Sequence, residues 1–160
     1  MSDTAFPTSA ELEAQEAKLQ FGGFSNDQAW ALGVALVDVA RARSLAITVD
    51  IRRGAQQVFH FGLEGTSADN DRWIERKVRV VERFGRSSLR VGQAARDAGT
   101  TFEEQMRLDP DTYAAHGGAF PIIVRGTGIV GVVTVSGLPQ VADHELVVEV
   151  LRRMLDATGR

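Results

Sequence analysis

Three histidines, His60, His116 and His144, are the side chains of this 160-residue sequence best suited to ligating a metal or moving a proton near neutral pH. There is no cysteine, which excludes a disulfide framework, a thiolate metal site, an iron–sulfur cluster and a cysteine nucleophile. His116 stands directly before two glycines, in His116-Gly117-Gly118-Ala119-Phe120-Pro121. Paired glycines let backbone amides approach a ligand closely, and the imidazole can act as base, ligand or haem axial donor. The plainer reading is a tight loop whose glycines supply positive φ. A second segment runs from Ser136 and Gly137 over Leu138-Pro139 to Asp143 and His144. It reads as a strand end, a turn and a helix start, where exposed amides suit an anion. There the plainer reading has Asp143 as a helix cap and His144 in solvent. Only Asp143 and Glu145 lie near His144, so no metal site is expected there.

Asn70, Asp71, Trp73 and Lys77 form a polar and aromatic cluster at another helix start. Trp73 is assigned to the core. Asn70 and Lys77 join a ligand site only if the fold carries them to His116. His60 sits among phenylalanines in a strand, where such a residue is most often satisfied in a core or an interface. Phosphate loops of Walker or dinucleotide type are absent, as is a G-x-S-x-G elbow. Arg72, Arg76, Arg79, Arg83, Arg86 and Arg90 step by four and three, the spacing of one helical face, although Gly85 is placed to break the helix before Arg86. No aromatic residue interleaves with them, and Glu75 and Glu82 stand ready to pair with Arg79 and Arg86. That stripe is expected to be solvated or to lie in a subunit contact, and no nucleic-acid partner is expected.

Several elements must position these groups. Thr8 or Ser9 caps a short first helix, and Leu19–Phe24 reads as a brief edge strand. Ser25 caps a helix whose apolar residues recur from Ala29 to Ala40. The period then changes to two: Ile47, Val49 and Ile51 share one face, and Phe59, Phe61 and Leu63 share another. Arg53-Gly54-Ala55-Gln56 reads as a hairpin turn. Matching apolar faces require Val49 to oppose either Phe59 or Phe61. The second register sets Asp50 across from His60, a favourable pair that would keep the imidazole protonated; the first sets Thr48 there. Ser67 opens a helix that Gly85 ends. Shorter helices follow from Ser87 or Ser88 and from Thr101, where Glu104 completes a capping box. Ala119–Arg125 and Ile129–Ser136 form a second hairpin around Gly126-Thr127-Gly128, with Pro121 suited to an edge or a strand start. A last helix carries Leu146, Val147, Val150, Leu151, Met154 and Leu155.

Local hairpins without βαβ alternation predict an α+β domain, an antiparallel sheet with helices packed on it. Composition agrees: 44% hydrophobic and 24% charged residues suffice for one core, expected over residues 10–158 with a loose segment 1–9. The net charge of −3 gives no reason to expect nucleic acid or a membrane surface. No segment approaches the run of about 20 apolar residues that a membrane helix needs. The acidic N-terminus lacks the order of a signal peptide, so a cytoplasmic address is expected.

Two segments, FGLEGTSADNDRWIERKVRVVERFGRSS (Phe61–Ser88) and HGGAFPIIVRGTGIVGVVTVSGLPQVADHELVVEVLRRM (His116–Met154), together resemble the haem-degrading-domain family, the GlcG/HbpS-like proteins. The likeness runs from about Leu12 to Leu155 and is nearer to the family's short cytoplasmic branch. The resemblance implies a three-layer α-β-α arrangement, profilin-like or PAS-like, with helices on both faces of the sheet and assembly into a homo-oligomer. It also implies haem or another tetrapyrrole as the leading small-molecule ligand. A ligand site would then be sought among His116, Gly117, Gly118, Ser136, Gly137, Asn70, Lys77, His144 and His60. Two other readings stand beside it: a non-catalytic oligomeric scaffold with a protein partner, and an enzyme for a small organic acid. The last needs a carboxylate beside His116.

Overall fold

The computed structural model describes residues 5–158. The expected loose N-terminus falls partly on residues 1–4, outside the described residues. Beyond them Phe6 stacks on the Arg96 guanidinium, and Thr8 caps helix α1 (Ser9–Lys18) in a capping box with Glu11. In chain order follow β1 (Gln20–Phe21), α2 (Asn26–Ala42), β2 (Thr48–Arg53), β3 (Gln56–Gly62), α3 (Ala68–Phe84), α4 (Ser88–Asp97), α5 (Phe102–Met106), β4 (Ala119–Val124), β5 (Gly128–Ser136) and α6 (Gln140–Ala157).

The five strands form one sheet in the order β1-β4-β5-β2-β3. Every pair is antiparallel except β1 with β4, which run parallel over Gln20–Phe21 and Ile123–Val124. Two residues that follow a helix are too short to show their direction in the sequence. Pro121 lies in the part of β4 that β1 does not reach, so its missing N–H leaves no ladder bond unmade on that side.

The β2–β3 register puts Val49 opposite Phe61 and Asp50 opposite His60. The turn is one residue tighter than that register requires in a regular ladder. Arg53 pairs with Gln56, Gly54 takes φ 59° in the turn, and Val58 is the extra residue of a bulge.

Alternation divides the sheet into two unlike faces. Val49, Ile51, Phe120, Ile122, Val133 and Val135 point one way and are buried under α2 and α6. Thr48, Asp50 and Thr134 point the other way, towards α3, and are as completely buried. On that side only a small apolar group forms, where Ile74, Val78 and Val81 meet Ala119 and Val132. Ser67 and Gly85 bound α3: the Ser67 hydroxyl accepts from Asp69 N, and Gly85 is left-handed at φ 67°.

The arginine stripe has a structural employment. Arg76 donates to Pro110 O, Arg79 to Thr112 O, and Arg83 reaches the Tyr113 hydroxyl, so the stripe tacks the 109–113 turn onto α3. Arg90 pairs with the buried Glu16 at 2.9 Å and ties α4 to α1. Glu75 pairs with Arg72, not with Arg79 as the spacing suggests. Arginine is long enough to choose between a neighbour on its own helix and a carbonyl on a loop, and here the loop is within reach.

Candidate functional site

The first turns of α3 present Asn70, Trp73 and Lys77 at i, i+3 and i+7, which is one helical face. That face looks onto the end of β5 and the turn into α6. Lys77 is only 3% exposed; its ammonium donates to Val135 O at 3.1 Å and to Asp143 Oδ2 at 3.2 Å. Asp143 also accepts from Leu138 N at 2.9 Å and from Gly137 N at 3.4 Å. It is therefore not the cap of α6, whose N-cap is Pro139 and has no side-chain cap. Its carboxylate lies within the helix and ties the β5–α6 turn and α3 together.

The glycines are explained by close packing. At Gly118 (φ 134°) a Cβ would run into Val135 O and lie 2.7 Å from Lys77 Nζ. At Gly137 (φ 150°) it would strike Ala46 O. Two of the amides that the sequence offers to a ligand are bonded within the protein: Gly117 N to Gln140 Oε1, and Gly137 N to Asp143.

Around the Lys77–Asp143 pair opens a cleft of about 270 Å³. Asn70, Trp73, Lys77, His116, Ser136 and Gly137 line it, with Asp69, Leu138, Gln140 and Asp143. Five of the nine sequence candidates thus meet in one cleft, and Gly117 and Gly118 form its packed backing. Trp73 is the residue the sequence misplaced. It is half-buried, its ring 5.2 Å from that of His116, and the Arg76 guanidinium lies 4.4 Å over it. Its spacing from Asn70 and Lys77 was the available signal.

His60 and His144 lie apart from the cleft. His60 is exposed, and its Nε2 meets Asp71 Oδ1 at 2.6 Å. Although Asp50 is its cross-strand neighbour, that carboxylate is engaged by Arg52 Nε at 3.1 Å and by Gln57. The expected Asp50–His60 tie is thus replaced by a strand-to-helix tie. His144 is 1% exposed, not solvated: its Nε2 meets Gln15 Oε1 at 2.7 Å, its ring packs near Phe120, and its Nδ1 has no partner.

Burial governs the charges. It pushes the Lys77 ammonium below its ordinary value, against the pull of Asp143. It pushes Asp143 up to about 6, against Lys77 and the two amides. His116 lies below the ordinary imidazole range, first through burial and then through Lys77; Arg76 and Arg96 add to this and Glu103 opposes it. His116 is therefore a neutral imidazole at pH 7, able to donate or accept a hydrogen bond or to ligate iron. Acid–base work on a small acid would need a free carboxylate beside it. Asp143 has its oxygens occupied by Lys77 and two amides, which makes it a charge-balancing group rather than a base. Among the described residues no three of His, Cys, Asp and Glu cluster so as to hold a metal ion. No helix of the described residues is long and apolar enough to cross a membrane.

Comparison with known proteins places the chain. The sequence profile of the family described as "Haem degrading protein HbpS-like" matches residues 24–152. A UPF0303 protein of Streptomyces coelicolor is 60% identical over 149 residues, covering 93% of this chain and 94% of that one. The crystal structure of the Ybr137w protein superposes with a TM-score of 0.88 at 29% identity, over 99% of this chain and 93% of that chain. A structure described as a PduOC:Heme complex shares the fold, with a TM-score of 0.66 at 13% identity over 81% and 94% of the two chains. The chain belongs to the HbpS-like family.

Proposed function

We propose that the protein binds a small molecule in the cleft at the start of α3, and that haem or a related tetrapyrrole is its ligand. The observation that carries this reading is the convergence of a neutral imidazole, His116, with the buried Lys77–Asp143 pair in one open cleft. The family and the haem-bound relative of the same fold support the ligand class. His116 would hold the iron, and the Arg76 guanidinium beside Trp73 would offer a cation to a propionate, the Lys77 charge being already balanced by Asp143. The fit to haem is one of edge and mouth. A cleft of about 270 Å³ lies below the range of roughly 300–1,000 Å³ that encloses a drug-sized ligand, and its floor is charged. His116 and Arg76 would hold a tetrapyrrole at the mouth of the cleft, beside Trp73. Bound haem would supply the redox chemistry of its iron.

Titration of the purified protein with hemin tests the reading. A saturable Soret shift in wild type that is lost in His116→Ala is expected. No shift in wild type, or an equal shift in the variant, overturns it.

A scaffold reading has its own observation. Trp30 is 64% exposed and Phe61 38% exposed; Trp30 packs edge-on to Phe59, beside the open edge of β3. An apolar surface beside an unpaired strand suits a second copy of the chain. Light scattering should give an oligomer for wild type and a smaller species for Trp30→Glu. A wild-type monomer at micromolar concentration would remove this reading.

A further inference from the structure

Three hydroxyls stand close together on the polar face of the sheet. Thr134 and Ser136 alternate along β5, and Thr48 is the cross-strand partner of Ser136. Thr48 Oγ1 and Thr134 Oγ1 are shut off from solvent without a partner. Ser136 ends β5 and lines the cleft; it is 3% exposed, and its Oγ also has no partner among the described residues, yet it is not shut off. It is thus the hydroxyl of the three that a ligand can reach. A donor this enclosed meets little water and gains from an acceptor that enters. Beside it, Asn70 Oδ1 accepts from Ser67 N, and Nδ2 reaches Ser136 O at 3.4 Å with its second hydrogen unbonded. Gln140 Oε1 accepts from Gly117 N, so its Nε2 is left as a further donor on the same cleft. These donors are all uncharged. Asp69 and Asp143 line the cleft with them, and the Lys77 ammonium is already paired with Asp143. A carboxylate or phosphate here would add a negative charge with no free cation among the lining residues, which is costly. An uncharged acceptor avoids that cost.

We infer that the Ser136 side of the cleft takes an uncharged carbonyl group, that of an amide or a lactam, whose oxygen accepts from Ser136 Oγ and Asn70 Nδ2. Such an oxygen has two lone pairs, one for each donor. The inference rests on the small-molecule reading of the cleft and narrows it. His116 and Arg76 act on the ligand at the mouth, where the guanidinium beside Trp73 favours negative charge. The ligand therefore carries its acids at one end and an uncharged carbonyl at the other. Haem has the acids and lacks an uncharged carbonyl, so a tetrapyrrole that suits both ends bears one on its ring edge.

The test titrates the full chain at neutral pH with two probes of similar size, pyrrolidone, an uncharged lactam, and sodium propionate, a carboxylate. Nuclear magnetic resonance follows the backbone amides of Ser136 and Gly137 and the side-chain amide of Asn70. Saturable shifts with pyrrolidone, and far weaker ones with propionate, are expected in wild type. In Ser136→Ala the pyrrolidone affinity should fall by about tenfold. Ser136→Cys keeps the volume with only a weak donor, so its affinity should fall likewise, and well-dispersed spectra of both variants show that they are folded. No saturable shift with pyrrolidone, propionate binding as strong as pyrrolidone binding, or undiminished pyrrolidone affinity in either folded variant overturns the inference. Pyrrolidone binding at Ser136 in a wild type that gives no Soret response to hemin would keep the carbonyl site and overturn the tetrapyrrole reading. A Soret response lost in His116→Ala, with no pyrrolidone shift, would do the reverse.

Discussion

The two faces of the sheet are buried alike and made differently. Under α2 and α6 the covered residues are Val49, Ile51, Phe120, Val133 and Val135. Under α3 they are Thr48, Asp50, Thr134 and, at the helix itself, Lys77. A buried apolar side chain contributes about 1.5–3 kcal/mol simply by leaving water, whereas a buried polar one gains little net and costs heavily if left unpaired. One face therefore holds the fold, and the other spends stability on arranging charges. The cleft lies at the end of the polar face, where the strands stop and the charges meet an opening.

That contrast can be broken at three levels. The two largest effects are of equal size, one on each face; on the apolar face Phe120→Ala should cost about 3–5 kcal/mol in denaturant unfolding. The hemin response of the folded fraction should remain. Loss of that response at full occupancy of the folded state would show that the faces are not separable. On the polar face Lys77→Met leaves Asp143 buried without a counter-charge and should cost about 3–5 kcal/mol at neutral pH. The double variant Lys77→Met/Asp143→Asn should recover most of that loss while hemin binding stays impaired. A double variant no more stable than the single would make the pair structural rather than a tolerated burden.

The smallest effect is the most diagnostic. Asp143 is raised to about 6, so between its ordinary 3.8 and 6 the unfolded chain loses its proton first and stability falls as pH rises. His144 is lowered to about 4, so between 4 and its ordinary 6.5 the unfolded chain takes up the proton and stability falls as pH drops. Each contribution is on the order of 3 kcal/mol, with opposite sign in the same window. The two therefore oppose each other in wild type between pH 4 and 6.5, and the lowered His116 adds a weaker loss on acidification. Asp143→Asn should unmask a loss on acidification, and His144→Gln a gain. Profiles in both variants that match wild type would mean neither group titrates as its surroundings dictate.

Much of this arrangement is legible in the sequence, because local chemistry writes it there. Ser67 and Gly85 mark the ends of α3, and alternation from Val49 to Phe61 places the hairpin and its register. The meeting of Asn70, Lys77, His116, Ser136 and Gly137 follows once α3 docks across the end of β5. What escapes is what depends on tertiary choice. Nothing local says that Lys77 will be buried against an aspartate 66 residues away, since lysine and aspartate are normally solvated. Trp73 looks like core because an indole usually is, yet it walls a cleft. His60 takes Asp71 rather than Asp50 because the docking of α3, and not strand pairing, decides which acid is unspent.

The two residues of β1 carry a consequence for how the chain assembles. Gln20 and Phe21 close the sheet edge by pairing with Ile123 and Val124. On the ribosome this strand is synthesised early and finds its partner late, since β4 emerges only after α2 through α5. Such a distant contact is expensive to close and forms once the rest has condensed. Until then β4 presents an unpaired edge at Ile123 and Val124 to any other strand in the vicinity. The short N-terminal strand acts as a latch on a nascent chain, its job being to retire a sticky border before neighbouring chains can use it.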